Sequence, residues 1–565
     1  MSKRISRRSF LAGSAAAALG GAALSRGANA AVKAAAPRFD ILIQGGMLLD
    51  GTGAAAFPAD IGIRGDRIEA IGTIGPEQAG KVIQAAGLHV SPGFIDIHTH
   101  SDGLILVYPG ADSRVRQGVT TELAGNCGGS AAPLAGADVK ERSARMLEED
   151  GVRAEWSDTA GYFACLEKAG MAINQALLTG HNTLRQNAIG MADRDLSADE
   201  MKGVVYELEK ALDQGSMGLS SGLEYLPGSY APPGELTALA QVVARHGGLY
   251  ATHMRDEGEH LLEAVSEALA TAKASGVRLE ISHLKAAGRP NWDKQQPALD
   301  LISSARARGV QVLADAYPYP AYSTGLPIYL PAWAGEGGES ALYARLADKS
   351  QRERIREAVN QQIALDPGEF SLIVIAKVWS DKNRDLVGKN LQQIADSRGV
   401  EPAELVLQLI EEEQSKVDMI GFGMRPENVE LVLSHPLVML GSDGYSIAPT
   451  GKMEGARPHP RSYGAFARLL GYYCRERKLF DLPTAVRKIT SAPADQIGLK
   501  DRGRLARGMA ADLVLFDAAT VVDTATFDDP QRYAKGVEYV LVNGRLAVER
   551  GQSTPARAGR VLRRI

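Results

Sequence analysis

Three cysteines in 565 residues are too few, and odd in number, for a disulfide framework; at least one thiol stays unpaired or serves another purpose. Beyond its first residues the chain has no 18 uninterrupted apolar positions, so no stable membrane insertion is expected. Positive charge is not in excess. The formal net charge is −4, which argues against a nucleic-acid binder, since that needs a basic stripe. Arg557, Arg560, Arg563 and Arg564 make the tail basic and read as a solvated terminus. What remains is the composition of a soluble enzyme with a large core, 45% hydrophobic and 23% charged.

The first 30 residues read as an export signal. Lys3, Arg4, Arg7 and Arg8 precede a weakly apolar, Ala/Gly-rich segment over 11–24, and Ala28-Asn29-Ala30 offers a small-residue cleavage site. Ser6-Arg7-Arg8-Ser9-Phe10-Leu11 is a close match to a twin-arginine signal. The expected partner is the twin-arginine export machinery, and the expected location is periplasmic or secreted. That route moves folded proteins, which suits an enzyme loaded with its metal before export.

Short β-like runs separated by turns occupy 37–90 and recur over 498–565, as expected for one small β domain built from both termini. Between them, 91–497 repeats strand and helix. Eight candidate strands end near His98, Glu122, His181, Ser220, His253, His283, Asp315 and Asp443, with amphipathic stretches such as 261–274 and 298–308 between them. This pattern predicts an α/β fold, a (β/α)8 barrel. The gap from Asp315 to Asp443 is too long for one crossover and predicts an inserted subdomain over about 321–387, carrying Tyr322, Tyr329, Trp333 and Tyr343. Insertions at a barrel mouth commonly shape the substrate pocket.

Parallel barrels build their sites where strands end. Gly93-Phe94-Ile95-Asp96-Ile97-His98-Thr99-His100 runs an apolar strand into two histidines spaced i, i+2, which a strand turns to the same side. Cys127 follows strand 2, His253 closes strand 5, His283 closes strand 6 and Asp443 closes strand 8. Four imidazoles, a thiol and a carboxylate on one rim form the N/S/O set that zinc favours. His181 ends strand 3 and either lines the pocket or bonds structurally, while Cys165 and Cys474 sit in helical patterns and read as core residues.

In order and spacing, His98-Thr99-His100, Gly118-Val119-Thr120-Thr121, Ala251-Thr252-His253-Met254-Arg255, Ser282-His283-Leu284-Lys285, Gly441-Ser442-Asp443-Gly444 and His459-Pro460-Arg461 resemble the amidohydrolase superfamily. Within it they are similar to the D-aminoacylase, or N-acyl-D-amino-acid deacylase, branch. The resemblance covers essentially the whole chain after the leader. Most two-metal members bridge their metals with a carboxylated lysine; this branch uses a cysteine after strand 2, where Cys127 stands. The resemblance implies a tight zinc held by Cys127, His253 and His283, and a weaker second site at His98, His100 and Asp443. Beside the metal, Asp443 is either the proton-transferring base or an orienter of a ligand histidine; Lys285, two residues past His283, and Arg461, at the matching family position, are the expected cations for the substrate's α-carboxylate. Tyr225 would match a hydroxyl donor and Arg255, two residues past His253, would be a further contact, or either is a structural ion-pair or packing residue. Residues 448–457 make the segment between Asp443 and Arg461 longer than in the shortest members, and bear on side-chain preference.

The implied reaction is zinc-dependent hydrolysis of the amide of an N-acyl-D-amino acid, releasing a carboxylic acid and a free D-amino acid. A dipeptidase for C-terminal D-residues needs the same bond and the same carboxylate. A cyclic-amide hydrolase fits less well, because Cys127 takes the place of the carboxylated lysine. A catalytically silent zinc protein is disfavoured by Asp443, since a structural zinc closes its shell with four ligands.

Overall fold

In the computed structural model, which describes residues 37–564, the apolar runs pair in parallel around a closed barrel. Its strands are β1 Phe94–Asp96, β2 Val119–Ala124, β3 Asn174–Leu177 (continued by Thr179–Gly180), β4 Gly218–Gly222, β5 Leu249–His253, β6 Arg278–Ile281, β7 Val312–Ala316 and β8 Val438–Leu440. Every neighbouring pair is parallel. The ring closes where Thr99 bridges Gly444 and the Asp443 amide donates to the His98 carbonyl at 2.8 Å. β2 and β3 are buried at every position, as parallel strands covered on both faces must be. The helices between strands carry one apolar stripe each. In Leu261–Ser275 the stripe is Leu261, Ala264, Val265, Ala268, Leu269 and Ala272, and Gly276 ends the helix in the left-handed region. The expected twin-arginine leader lies outside the described residues.

Both ends of the chain share one nine-stranded sheet. Its two halves join where His89–Pro92 runs antiparallel to Leu513–Phe516, over a core that includes Ile43, Ile61, Val90 and Leu515. The basic tail is not a free solvated terminus. Gly559 donates to Met171, Val561 bridges Gln175, and the Arg564 side chain reaches the carbonyls of Leu212 and His246, so the last residues clamp the strand side of β3.

The insertion is larger than the sequence suggests. It extends past residue 387 to Gly421, because the central strand of its antiparallel sheet, Val417–Gly421, comes last in sequence and pairs with both Tyr322–Gly325 and Ile373–Val378. Helices Leu391–Arg398 and Pro402–Glu412 precede that strand, and their amphipathic pattern is the same as that of a barrel crossover. The insertion has its own apolar core, with Ile355, Val359, Ile363, Val406, Leu409 and Met419. Among the described residues no helix is long and apolar enough to cross a membrane.

Candidate metal centre

At the C-terminal rim of the barrel the strands hand over to loops through strained residues. Cys127, His283 and Asp443 have φ of 51°, 34° and 53°, a region that side chains with a Cβ rarely adopt. Such conformations cost about 1–3 kcal/mol each and persist where the surroundings enforce them, typically at functional sites. Here they turn the side chain back toward the barrel axis. β8 approaches β1 closely because Gly441 has no side chain: a Cβ there would stand 2.7 Å from His98 Cβ.

The six expected donors converge. Cys127 Sγ lies 3.3 Å from His98 Nε2 and 3.4 Å from His283 Nε2. His253 Nδ1 is 2.9 Å from His283 Nε2. Asp443 Oδ1 is 2.9 Å from His100 Nε2 and 3.6 Å from His98 Nε2. Donor atoms group as His98, Cys127 and His283, as His98, His100 and Asp443, and as His253, Glu257 and His283. His98 therefore stands between two groups instead of belonging to the His100–Asp443 side alone.

Electrostatics favour the ligating forms of the thiol and the carboxylate but hold protons on the imidazoles. Burial pushes the Cys127 thiol up, but the imidazoles of His98 and His283 reverse this and hold it well below its ordinary value. Burial likewise opposes an ionised Asp443, and the Arg461 guanidinium, with His100, holds it well below the carboxylate range. Burial lowers the imidazoles, yet Asp443 brings His100 to about 9 and Glu257 brings His253 to about 10. A cation entering this cluster must displace those protons, so metal uptake releases acid. Thiolate, imidazoles and carboxylate around one point fit zinc.

Three acidic residues beyond the expected set orient the ligands. His98 Nδ1 lies 3.1 Å from Asp315 Oδ2, and Asp315 Oδ1 accepts the His283 amide at 3.0 Å. Glu257 lies 2.8 Å from His283 Nδ1 and 2.5 Å from Lys285 Nζ. Glu224 lies 3.0 Å from His253 Nε2 and accepts the Glu257 amide at 3.0 Å. Fixing the far nitrogen of a ligand histidine sets its ring orientation and basicity. Asp315 ends a strand as the ligands do, so a signal existed; Glu224 and Glu257 lie in loops, where an acidic residue has no distinguishing pattern. Deeper, buried Arg114 ties Asp96, Glu122 at 2.7 Å and Ser442 at 2.7 Å, which fixes the turn that carries Asp443.

Two cavities open at this rim, of about 480 and 430 Å³, and both are lined by Tyr225, His283, Ser323, Thr324 and Asp443. The Tyr225 hydroxyl meets Thr324 Oγ1 at 3.1 Å, a clasp between barrel and insertion. Tyr322 and Tyr329 of the insertion line the first cavity, whereas Trp333 and Tyr343 pack in the insertion's own core. Arg461 approaches Asp443 Oδ2 at 2.8 Å through a nitrogen that makes no aligned hydrogen bond, so it pairs by charge and keeps a donor for another anion. Lys285 faces the first cavity but is ion-paired to Glu257.

Arg255 takes the structural ion-pair place of the two the sequence allows. Its guanidinium is taken up by Glu267, at 2.9 Å through both Nε and Nη2, and by the carbonyls of Ser229 and Ala231 at 3.0 Å. It braces the loop after β4 against helix Leu261–Ser275 and has little left for substrate. Arg255→Met is accordingly expected to destabilise the fold by about 1–3 kcal/mol while KM stays near the wild-type value; thermal melting beside steady-state kinetics checks this. His181 is structural too, buried 2.8 Å from Glu235, which also takes Arg185.

A model described as the amidohydrolase family matches residues 81–358 and 389–548, and the gap falls inside the insertion. The N-acyl-D-glutamate deacylase of Alcaligenes xylosoxydans xylosoxydans is 37% identical over 528 residues, 93% of this chain and 97% of that one. The D-aminoacylase of the same organism is 36% identical over 526 residues, 93% of this chain and 98% of that one. Among solved structures, an N-acyl-D-glutamate deacylase from Bordetella bronchiseptica, complexed with zinc and a phosphonate mimic of the tetrahedral intermediate, is similar with a TM-score of 0.79. That match is 35% identical and covers 93% of this chain and 100% of the other.

Proposed function

Because this chain belongs to the amidohydrolase family, in its D-aminoacylase branch, and is a hydrolase of linear amides, we propose that it hydrolyses N-acyl-D-amino acids with zinc at the barrel rim. The observation that carries this reading is the placement of Cys127 and Asp443: a thiol between His98 and His283, with a carboxylate across the rim between His100 and Arg461. Cys127, His253 and His283 would hold the tight ion, and His98, His100 and Asp443 a weaker one. Zinc supplies a Lewis acid that polarises the amide carbonyl and acidifies water.

The chain's own groups do the rest. Asp443 accepts the proton of the attacking water and delivers it to the departing nitrogen. Arg461 receives the α-carboxylate with a planar fork suited to it, and Lys285, which Glu257 already pairs, shares its charge with it. The Tyr225 hydroxyl, at the meeting point of the two cavities, donates to the substrate. In the same reading the protein is exported folded by the twin-arginine machinery, which the leader sequence supports.

A panel of N-acetyl-D- and L-amino acids, dipeptides and hydantoins, assayed on zinc-loaded protein, tests the reading. Turnover of the N-acetyl-D compounds is expected. Turnover of hydantoins alone would reject it. Arg461→Ala is expected to lose roughly 30-fold to several thousand-fold in kcat/KM on N-acyl-D-amino acids. The corresponding amino-acid amides lack the carboxylate and lose only what Arg461 contributes through Asp443, so the carboxylate substrates should suffer more by about 30-fold. Equal losses would assign Arg461 to Asp443 alone.

A further inference from the structure

The cavity of about 480 Å³ is unequal in charge. Besides Asp443, it is lined by Glu224, Asp256, Glu257, Glu259 and Asp366, against Arg255, Lys285 and the imidazole of His253. The guanidinium and the ammonium are already matched, Arg255 by Glu267 and Lys285 by Glu257. Glu224 is held by His253, and Asp256 accepts the amides of Gly258 at 2.8 Å and His260 at 2.9 Å. Asp366 differs from these. It follows helix Lys349–Leu365 of the insertion, its Oδ1 is shut off from solvent, and no hydrogen bond or ion pair satisfies that atom among the described residues.

The surroundings make room for this carboxylate without neutralising it. A Cβ at Gly423 would stand 2.4 Å from Asp366 Oδ1, so only a glycine fits beneath it. Tyr322 lies beside it, with its hydroxyl 3.0 Å from that of Tyr329, and both rings line the cavity. Ser229 Oγ, also in the lining, is likewise buried without a partner. Burial, together with the charges of Glu224 and Glu257 and against the help of Tyr322, pushes the Asp366 carboxyl up to about 7. A carboxylate with one oxygen sealed off unsatisfied and only a tyrosine hydroxyl to help it is costly, and a cation that enters the cavity beside it relieves the cost, the more so beside aromatic faces.

We propose that this cavity is a subsite for a cationic group of the substrate, an ammonium or guanidinium, with Asp366 as the carboxylate that pairs with it and Tyr322 and Tyr329 as its aromatic wall. The proposal rests on the deacylase reading and names its substrate class. It separates this chain from the relative named for N-acyl-D-glutamate, whose side chain carries the opposite charge. The cation has two chemical sources: the side chain of a basic D-residue, or the free ammonium of an aminoacyl group joined to a D-residue.

Two pairs of compounds that differ in one charge distinguish these sources on the zinc-loaded full-length protein. Nα-acetyl-D-lysine is compared with N-acetyl-D-norleucine, and glycyl-D-leucine with propionyl-D-leucine. In one pair the cationic compound is expected to lead by about 10-fold or more in kcat/KM, and Asp366→Asn should bring that pair within about 2-fold of each other. No preference in either pair, or a preference that survives in Asp366→Asn, overturns the proposal. The wild-type comparison stands by itself if the variant does not fold. If none of the four is hydrolysed, the deacylase reading fails while the subsite is still read by calorimetry with the same compounds as ligands. The same ratio of Kd values then supports it, and equal or undetectable binding overturns it.

Discussion

Cys127→Ala is expected to lose its tight zinc and at least about 100-fold in activity, more than the 10- to 100-fold that removing a residue behind a ligand typically costs. Cys127 contributes the thiolate between His98 and His283, and the backbone there is held at a φ of 51°, so no neighbour can take over its direction. Without it two imidazoles face each other, and protonation competes with metal at both. Cys165 lies in helix Thr159–Ala169, packed against the barrel's outer core, and Cys165→Ala should change little. Elemental analysis decides the matter: wild-type zinc content in Cys127→Ala would move the tight site elsewhere.

Asp443→Asn is expected to lower kcat by roughly 10² or more while the tight zinc stays, because an amide keeps the shape of the carboxylate but cannot accept a proton. The two oxygens of Asp443 have separate surroundings, Oδ1 toward His100 and His98 and Oδ2 toward Arg461. The substitution therefore removes the base and weakens the His98–His100 group together, without touching Cys127, His253 or His283. Single-turnover rates with zinc content measured on the same sample separate the two effects. A near-wild-type rate would remove Asp443 from proton transfer.

The donors were legible because they obey a local rule. His98, His253 and His283 end or closely follow an apolar run, as does Asp443; His98 and His100 lie past the end of β1 at Asp96, so the turn there, and not the period of a strand, brings them together. The barrel followed from the repetition of such runs with helices between them. The insertion was legible as an excess of length, but its end at Gly421 was not, because the strand that completes its sheet follows two helices that look like an ordinary crossover.

The sequence by itself determined the barrel strands and the six residues that meet at the rim, since each lies at or just past the end of an apolar run. Only the tertiary structure decided which charge answers which. Arg255 spends its guanidinium on Glu267, Lys285 is matched by Glu257, and His98 stands between two donor groups. Asp366 is left with a buried oxygen that no aligned hydrogen bond satisfies among the described residues. His98 and Asp315 are separated by 217 positions, and Asp443 and His100 by 343. A charge finds its partner through barrel closure and loop packing across such distances, and no local periodicity encodes that choice.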